Sequence, residues 1–388
     1  MKKNSSNKHK FFYCYTLIAT IIFLLFIISC GSVSLNSNTP VDVYVGGQSF
    51  ISTTNVPVAV YWKNGEIVPL TTKYWKDSEK KPQYTTEYSR VNSIAVSGND
   101  VYTGGYYKAY DLSHMNPYSV SMDDYEVKVA CYWKNGKLVS LGNSKYVSEV
   151  NVILVSGNDV YAGGYIYSQR EGGTASGGYW KNGKWVNLGS RVDSIFVSGD
   201  DVYACGSGRS MKPGYWKNDE WISLPFLSEN KVAYTYSIFV SGNDVYVCGE
   251  SRNNLGVNTA CYWKNGEIIP LLSFDSKYDS SAASIFVSGK DVYVGGYSYN
   301  NYSQKMNSYS IAGYWKNGKW ISLPSIDKYS SRVTSIFVFR NDVYAGGFTS
   351  GAYNSGIPGY WKNGEWVDFN THDGVVTSIV VVPRPTGQ

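Results

Sequence analysis

A chain of 388 residues with 16% aromatic side chains, 39 Gly and 36 Tyr but only 3 His can bury a large core. Its formal net charge of +5 is concentrated at one end: Lys2, Lys3, Lys8 and Lys10 precede Phe11 with no acid among them, so residues 11–388 carry +1. A near-neutral body argues against nucleic-acid binding, which needs a basic patch to displace counterions.

Four lysines, an apolar run from Phe11 to Ile28, and then Ile27-Ile28-Ser29-Cys30-Gly31 have the layout of a secretion signal. The ending resembles the bacterial lipobox, in which the cysteine thiol is acylated and becomes the first residue of the mature protein. The expectation is a lipoprotein signal peptide over residues 1–29, lipid attachment at Cys30, and a flexible Gly/Ser/Asn/Thr linker to residue 40. An uncleaved membrane helix is the alternative, since 18 largely apolar residues nearly suffice to span a bilayer. Both readings place the rest of the chain outside the cytoplasm, tethered to a membrane and facing the periplasm or the cell surface.

From residue 41 the sequence is repetitive. Tyr-Trp-Lys-Asn-Gly recurs seven times, at Tyr61, Tyr132, Tyr179, Tyr215, Tyr262, Tyr314 and Tyr360, with Asp219 replacing Gly in the fourth copy. Each unit divides into four extended segments. The first, clearest at Ser284-Ile-Phe-Val-Ser288, is apolar on both faces and suits a strand between sheets. A Gly-Asn turn follows (Gly98-Asn99, Gly157-Asn158, Gly242-Asn243); Arg340-Asn341 stands there in one copy, so that turn is of another type or strained. The second segment is Asp-Val-Tyr-x-Gly-Gly, with Cys205 and Cys248 at the first Gly in two copies. Paired glycines in a strand mark a close backbone approach. The third segment holds Tyr-Trp, and Asn-Gly turns it into the fourth. Two connections per unit are tight and two vary in length, which makes one smooth end and one decorated end.

The first unit lacks its opening strand, and the chain finishes with Val376-Thr-Ser-Ile-Val-Val-Val382, an opening strand with no unit behind it. The last strand therefore completes the first sheet. The predicted fold is all-β, a seven-bladed β-propeller of four-stranded antiparallel blades over residues 41–388. An open solenoid would not explain a missing first strand matched by an extra last one.

The Val-Tyr-x-Gly-Gly strand followed by Tyr and Trp resembles kelch repeats, a propeller family. The longer string Ser-Ile-Phe-Val-Ser-Gly-Asn-Asp-Val-Tyr with Tyr-Trp-Lys-Asn-Gly is similar to repeats of uncharacterised bacterial proteins and lipoproteins. The resemblance spans residues 41–382 and departs from kelch in the adjacent Tyr and Trp. It implies a propeller and carries over no functional residue.

Seven Asp residues at equivalent turns (Asp42, Asp100, Asp159, Asp201, Asp244, Asp291, Asp342) read as turn caps bonding their own backbone, because calcium needs six or more oxygens from several ligands. The repeated Trp residues read as packing between blades rather than a stacking surface. Cys248 and Cys261, on the second and third strands of one unit, are either a cross-strand disulfide or two small buried thiols. His114 and His372 lie near no nucleophile motif, and Asp111, Asp123 and Asp124 read as solvated loop charges rather than a carboxylate pair for glycoside hydrolysis. No catalytic residue, metal or cofactor is expected.

Symmetry-breaking segments rich in Tyr, Ser and Asn are the better guide to a ligand. Tyr106, Tyr107, Tyr110, Tyr118, Tyr125, Tyr165, Tyr167, Tyr297, Tyr299 and Tyr302 are the candidate binding residues, because Tyr offers rigid amphipathic contact area. The expected function is a monomeric, membrane-anchored binding protein for a protein or a glycan. The alternatives are a polysaccharide-acting hydrolase or lyase, and a structural part of an envelope assembly complex.

Overall fold

The computed structural model of the protein describes residues 39–51, 56–70, 85–110, 126–168, 175–206, 212–229, 231–273, 277–300, 309–326, 330–350, 356–371 and 373–384. The signal segment with Cys30, the loop tyrosines Tyr118, Tyr125 and Tyr302, the acids Asp111, Asp123 and Asp124, and both His114 and His372 lie outside the described residues. Twenty-eight strands form seven four-stranded antiparallel sheets. The last strand, Gly374–Pro383, pairs with the first, Val41–Ser49, and completes the first sheet. Numbered from that sheet as blade 1, the inner strands of successive blades touch all the way round, from blade 7 back to blade 1. The chain is a closed seven-bladed propeller. Arg384 fastens the closure, donating to Asp42 Oδ1 at 2.7 Å while its backbone N–H reaches Pro40 O.

Both tight turns of a blade lie at the same end. The Asn-Gly turns have positive φ at both central residues, as at Asn64 (52°) and Gly65 (88°), which is the type I′ geometry that follows strand twist. The other hairpin has positive φ at its first central residue alone, as at Gly98 (58°), the type II′ pattern. Arg340 adopts the same turn at φ 58°, so this copy is strained rather than of another type.

The two hairpins are clasped to one another in every blade. Asn of Tyr-Trp-Lys-Asn-Gly accepts the Val N–H of Asp-Val-Tyr through Oδ1 and donates Nδ2 to the Asp carboxylate, at 2.8 Å and 2.9 Å for Asn64 with Val43 and Asp42. Lys of the same motif pairs with that carboxylate, as in Lys134 with Asp100 at 2.8 Å, and lies over the Tyr ring, 5.1 Å from the Tyr102 centroid. The repeated aspartates thus bind the opposite hairpin instead of capping their own turn. Lysine and asparagine hold these carboxyls below the ordinary range, as at Asp100 and Asp244.

Each Tyr-Trp indole is buried between blades, with Trp62, Trp133, Trp263, Trp315 and Trp361 at 0% exposure. Trp263, Trp315 and Trp361 also donate Nε1 to carbonyls of the preceding blade, at Pro225, Leu272 and Pro324. The glycine pair does two jobs. A Cβ at the second glycine would sit 1.9 Å from an inner-strand carbonyl, as at Gly105 and Gly164, where the inner strand bulges. A Cβ at the first would press on a valine of the next blade, such as Val91 beside Gly46. Where Cys248 replaces that first glycine, the next blade offers Ala282, and the thiol reaches its carbonyl at 3.4 Å.

Cys248 and Cys261 are therefore packing groups, and the disulfide alternative is wrong: both thiols are free. Register gives the reason. Cys248 is opposite Tyr262 and Cys261 is opposite Gly249, one step out of register, so they face opposite sides of the sheet and join separate core clusters.

Deleting residues 376–388 removes Val376, Ile379 and Val381, all at 4% exposure or less, each worth about 1.5–3 kcal/mol of burial. Against a total stability of roughly 5–15 kcal/mol, the truncated chain is expected to lose cooperative unfolding; a truncation that melts like the parent would refute closure. Asp219 holds φ 71° where the other copies have Gly, so Asp219→Gly should stabilise by about 0.5–1 kcal/mol in chemical denaturation.

Candidate binding site at the mouth of the ring

Among seven matching blades the site is found by exception. The residue whose carbonyl meets the second glycine occupies the same place in every inner strand, and around the ring it reads Val375, Arg90, Glu149, Arg191, Tyr234, Ser281 and Arg332. The next residue is buried core throughout: Val376, Val91, Val150, Val192, Thr235, Ala282 and Val333. The one after, carried by the bulge, varies again: Thr377, Asn92, Asn151, Asp193, Tyr236, Ala283 and Thr334. Two varied columns thus flank an apolar one, at the variable-loop end of the innermost strands. Toward the smooth end, the same strands carry Phe196, Phe239, Phe286 and Phe337, whose rings contact in an arc at centroid spacings of 4.8–5.0 Å. The axis therefore passes from an apolar layer to a mouth of unrepeated polar, charged and aromatic groups.

Side chains at the mouth reach back to the preceding blade and form two arcs. In blades 2 to 4, Glu149 accepts from Asn92 at 2.8 Å, Lys128 at 2.9 Å and the Tyr165 hydroxyl at 3.0 Å. Arg191 bonds Asp193 at 2.6 Å and lies over the Tyr165 ring at 5.5 Å. In blades 5 to 7, Glu250 engages Tyr236 and Ser281, while Arg332 lies 4.3 Å from the Tyr297 centroid and donates to the Tyr299 hydroxyl at 2.9 Å and Ser310 Oγ at 3.2 Å. The two glutamates are tuned in opposite directions. Burial alone would raise Glu149, but the bonds from Lys128, Asn92 and Tyr165 outweigh it and hold the carboxyl below its ordinary range. Burial pushes Glu250 up, and its hydroxyl partners offset only part of that.

Of the candidate tyrosines, Tyr165 joins the arc of blades 2 to 4, and Tyr297 and Tyr299 join that of blades 5 to 7. Tyr106 is buried beneath it, stacked on Tyr88 and covered by Lys128 at 4.3 Å. Tyr107 faces the other side of its strand, within reach of Ser140; Tyr110 ends its strand opposite Glu126, and the exposed Tyr167 ends its strand opposite Val147 of the inner strand, on the same face as Tyr165. Sequence reasoning missed Arg90, Glu149, Arg191, Glu250 and Arg332. The signal was available: counting three residues back from the Ser that opens Ser-Ile-Phe-Val gives Arg90, Arg191, Tyr234, Ser281 and Arg332, a varied column in an otherwise repeated strand. A separate cavity of about 190 Å³ lies at the rim between Asn253, Thr259, Leu271 and Tyr278. It is below the roughly 300 Å³ at which ligand pockets begin, and it holds none of the tuned groups.

Neither a protein-family model nor a curated protein sequence matches the chain. Among solved structures, that of YjhT aligns over 77% of this chain and 99% of its own, with 11% identity and a TM-score of 0.38. At that identity and score the likeness bears on neither ligand nor activity.

The opposed carboxyls make a paired prediction. Glu250, raised on folding, contributes stability that is complete below the unfolded value of about 4.3 and is lost as pH rises through its folded value. Glu149, lowered on folding, contributes stability present above about 4.3 and lost as pH falls through its folded value. At neutral pH, Glu250→Gln should raise the melting temperature and Glu149→Gln should lower it, the latter by the equivalent of about 2 kcal/mol. Both differences should shrink in acid, and shifts of one sign at neutral pH would contradict the assignment.

Proposed function

We propose that this protein is an envelope lipoprotein, tethered through Cys30, whose propeller acts as a monomer to bind a glycan at the mouth of the ring without transforming it. One observation carries the reading: in a chain that repeats its scaffold seven times, the unrepeated Tyr, Arg, Glu and Asn side chains are gathered around the axis at one end. Tyrosine faces with hydrogen-bonding groups already oriented by their neighbours suit a sugar, which offers an apolar ring face and hydroxyls at fixed angles. The export signal, a body charge of +1 and the kelch-like character of the repeats belong to the same proposal.

A second reading has its own support. Two carboxyls in one region, one held ionised and one pushed toward the neutral acid, have the pattern of an acid and base pair. Under it the same mouth would cleave a polysaccharide.

Screening the detergent-solubilised chain against envelope and host oligosaccharides separates the two. Retention of a glycan that is unchanged on recovery, with affinity reduced about tenfold by Tyr297→Ala, is the expected result. Conversion of the glycan, abolished by Glu250→Gln, would replace binding with catalysis. If no glycan is retained, the binding reading fails.

A further inference from the structure

The two arcs differ in how their charges are matched. In blades 2 to 4, Lys128 pairs with Glu149, Arg191 with Asp193, and Lys108 with Glu126. In blades 5 to 7 the guanidinium of Arg332 has no carboxylate within salt-bridge distance among the described residues. Its Nε and Nη2 donate to neutral hydroxyls, and its Nη1 amino group donates to no described residue. Arg332 is half-buried and held on two sides by aromatic rings, 4.3 Å from Tyr297 and 5.8 Å from Tyr299. A guanidinium fixed in this way, with a pair of N–H groups left over, is prepared for an oxyanion. Arg90, at the matching place in blade 2, also lacks a carboxylate among the described residues and buries an Nε without a partner. Glu250, an unrepeated acid of this arc, engages Ser281 and Tyr236 rather than Arg332.

We propose that the ligand of this mouth carries an anionic group, a carboxylate or sulfate on an acidic sugar, and that Arg332 is the residue that receives it. The inference rests on the reading of the mouth as a glycan site and narrows it to acidic glycans. Tyr297 and Tyr299 then serve as positioning residues that hold the guanidinium, leaving the Nη1 edge for the anion. The ion pairs of Lys128 with Glu149 and of Arg191 with Asp193 supply hydrogen bonding to the remainder of the sugar.

The experiment uses the full chain in detergent with three probes, D-glucuronate, D-glucose and inorganic sulfate, titrated at constant ionic strength against chloride and followed by saturation-transfer NMR and thermal shift. Saturable binding of glucuronate, at least about tenfold tighter than glucose, is expected, and Arg332→Gln should remove that preference. Arg332→Lys should recover part of it, because the charge is kept and the fork is lost. If Arg332 were only a strut, both variants would lower the melting temperature and leave the glucuronate preference intact, which would overturn the proposal. Glucose binding as tightly as glucuronate would also overturn it while leaving the glycan reading in place; no saturable binding by any probe would count against both. Sulfate competing with glucuronate supports one anion pocket for either source, and sulfate binding alone assigns the anion to a sulfate ester.

Discussion

The second glycine of each Gly-Gly pair is the constraint on which the ring depends. It is kept in all seven blades, as Gly47, Gly105, Gly164, Gly206, Gly249, Gly296 and Gly347, and at each a Cβ would stand about 1.8–2.2 Å from the inner strand's carbonyl. No rotamer relieves a clash with backbone, so only glycine is admitted. The first glycine meets side chains instead, and there two copies have cysteine. One of these substitutions comes with a smaller partner across the blade seam, Ala282 where other blades have valine. The difference between the two positions follows from what each would strike, a fixed carbonyl or a replaceable side chain.

That close approach also creates the candidate binding surface. The inner strand bulges where it meets the glycine, and a bulge adds a residue with no ladder partner. Such a residue can change without disturbing either hairpin. In two blades it is threonine and bonds carbonyls of its own and the next blade, as Thr377 does with Gly46 and Val91. In others it is Asn92, Asn151 or Asp193, and the same place becomes part of the polar mouth. Scaffold and site thus occupy alternate positions of one strand, with the buried column between them keeping the blades in contact.

Much of the fold was legible because its signals are local and repeated. Asn-Gly turns, the glycine pair, and a terminal strand without a unit sufficed for blade count and closure. The site was far less so. Composition singled out Tyr165, Tyr297 and Tyr299, which lie at the mouth, but the same criterion took in Tyr107, which packs against the core between blades 1 and 2. Adjacent residues of a strand face opposite sides, so Tyr106 and Tyr107 part company, and composition does not say which of the two lies on the side of the mouth. The repeated aspartates show the same limit: Asp beside a turn suggests a local cap, whereas its partners Asn and Lys lie on another hairpin, brought near only by the antiparallel register. Cys248 and Cys261 were close in strand count and one residue out in register, enough to place them on opposite faces.

The asymmetry of the mouth gains its meaning from the symmetry around it. At the smooth end every blade pairs one Asp with one Lys, so charge there is matched seven times over. At the mouth Lys128 pairs with Glu149 and Arg191 with Asp193, but Arg90 and Arg332 have no carboxylate partner among the described residues, and Arg332 sits with the half-buried Glu250 among tyrosines. A half-buried charge without a counter-ion costs free energy that the fold has no need to bear, since the equivalent position accepts valine or serine in other blades. The bonds of Arg332 to Ser310 and Tyr299 hold the guanidinium in place without neutralising it, and the proposed anionic ligand would supply the missing counter-charge.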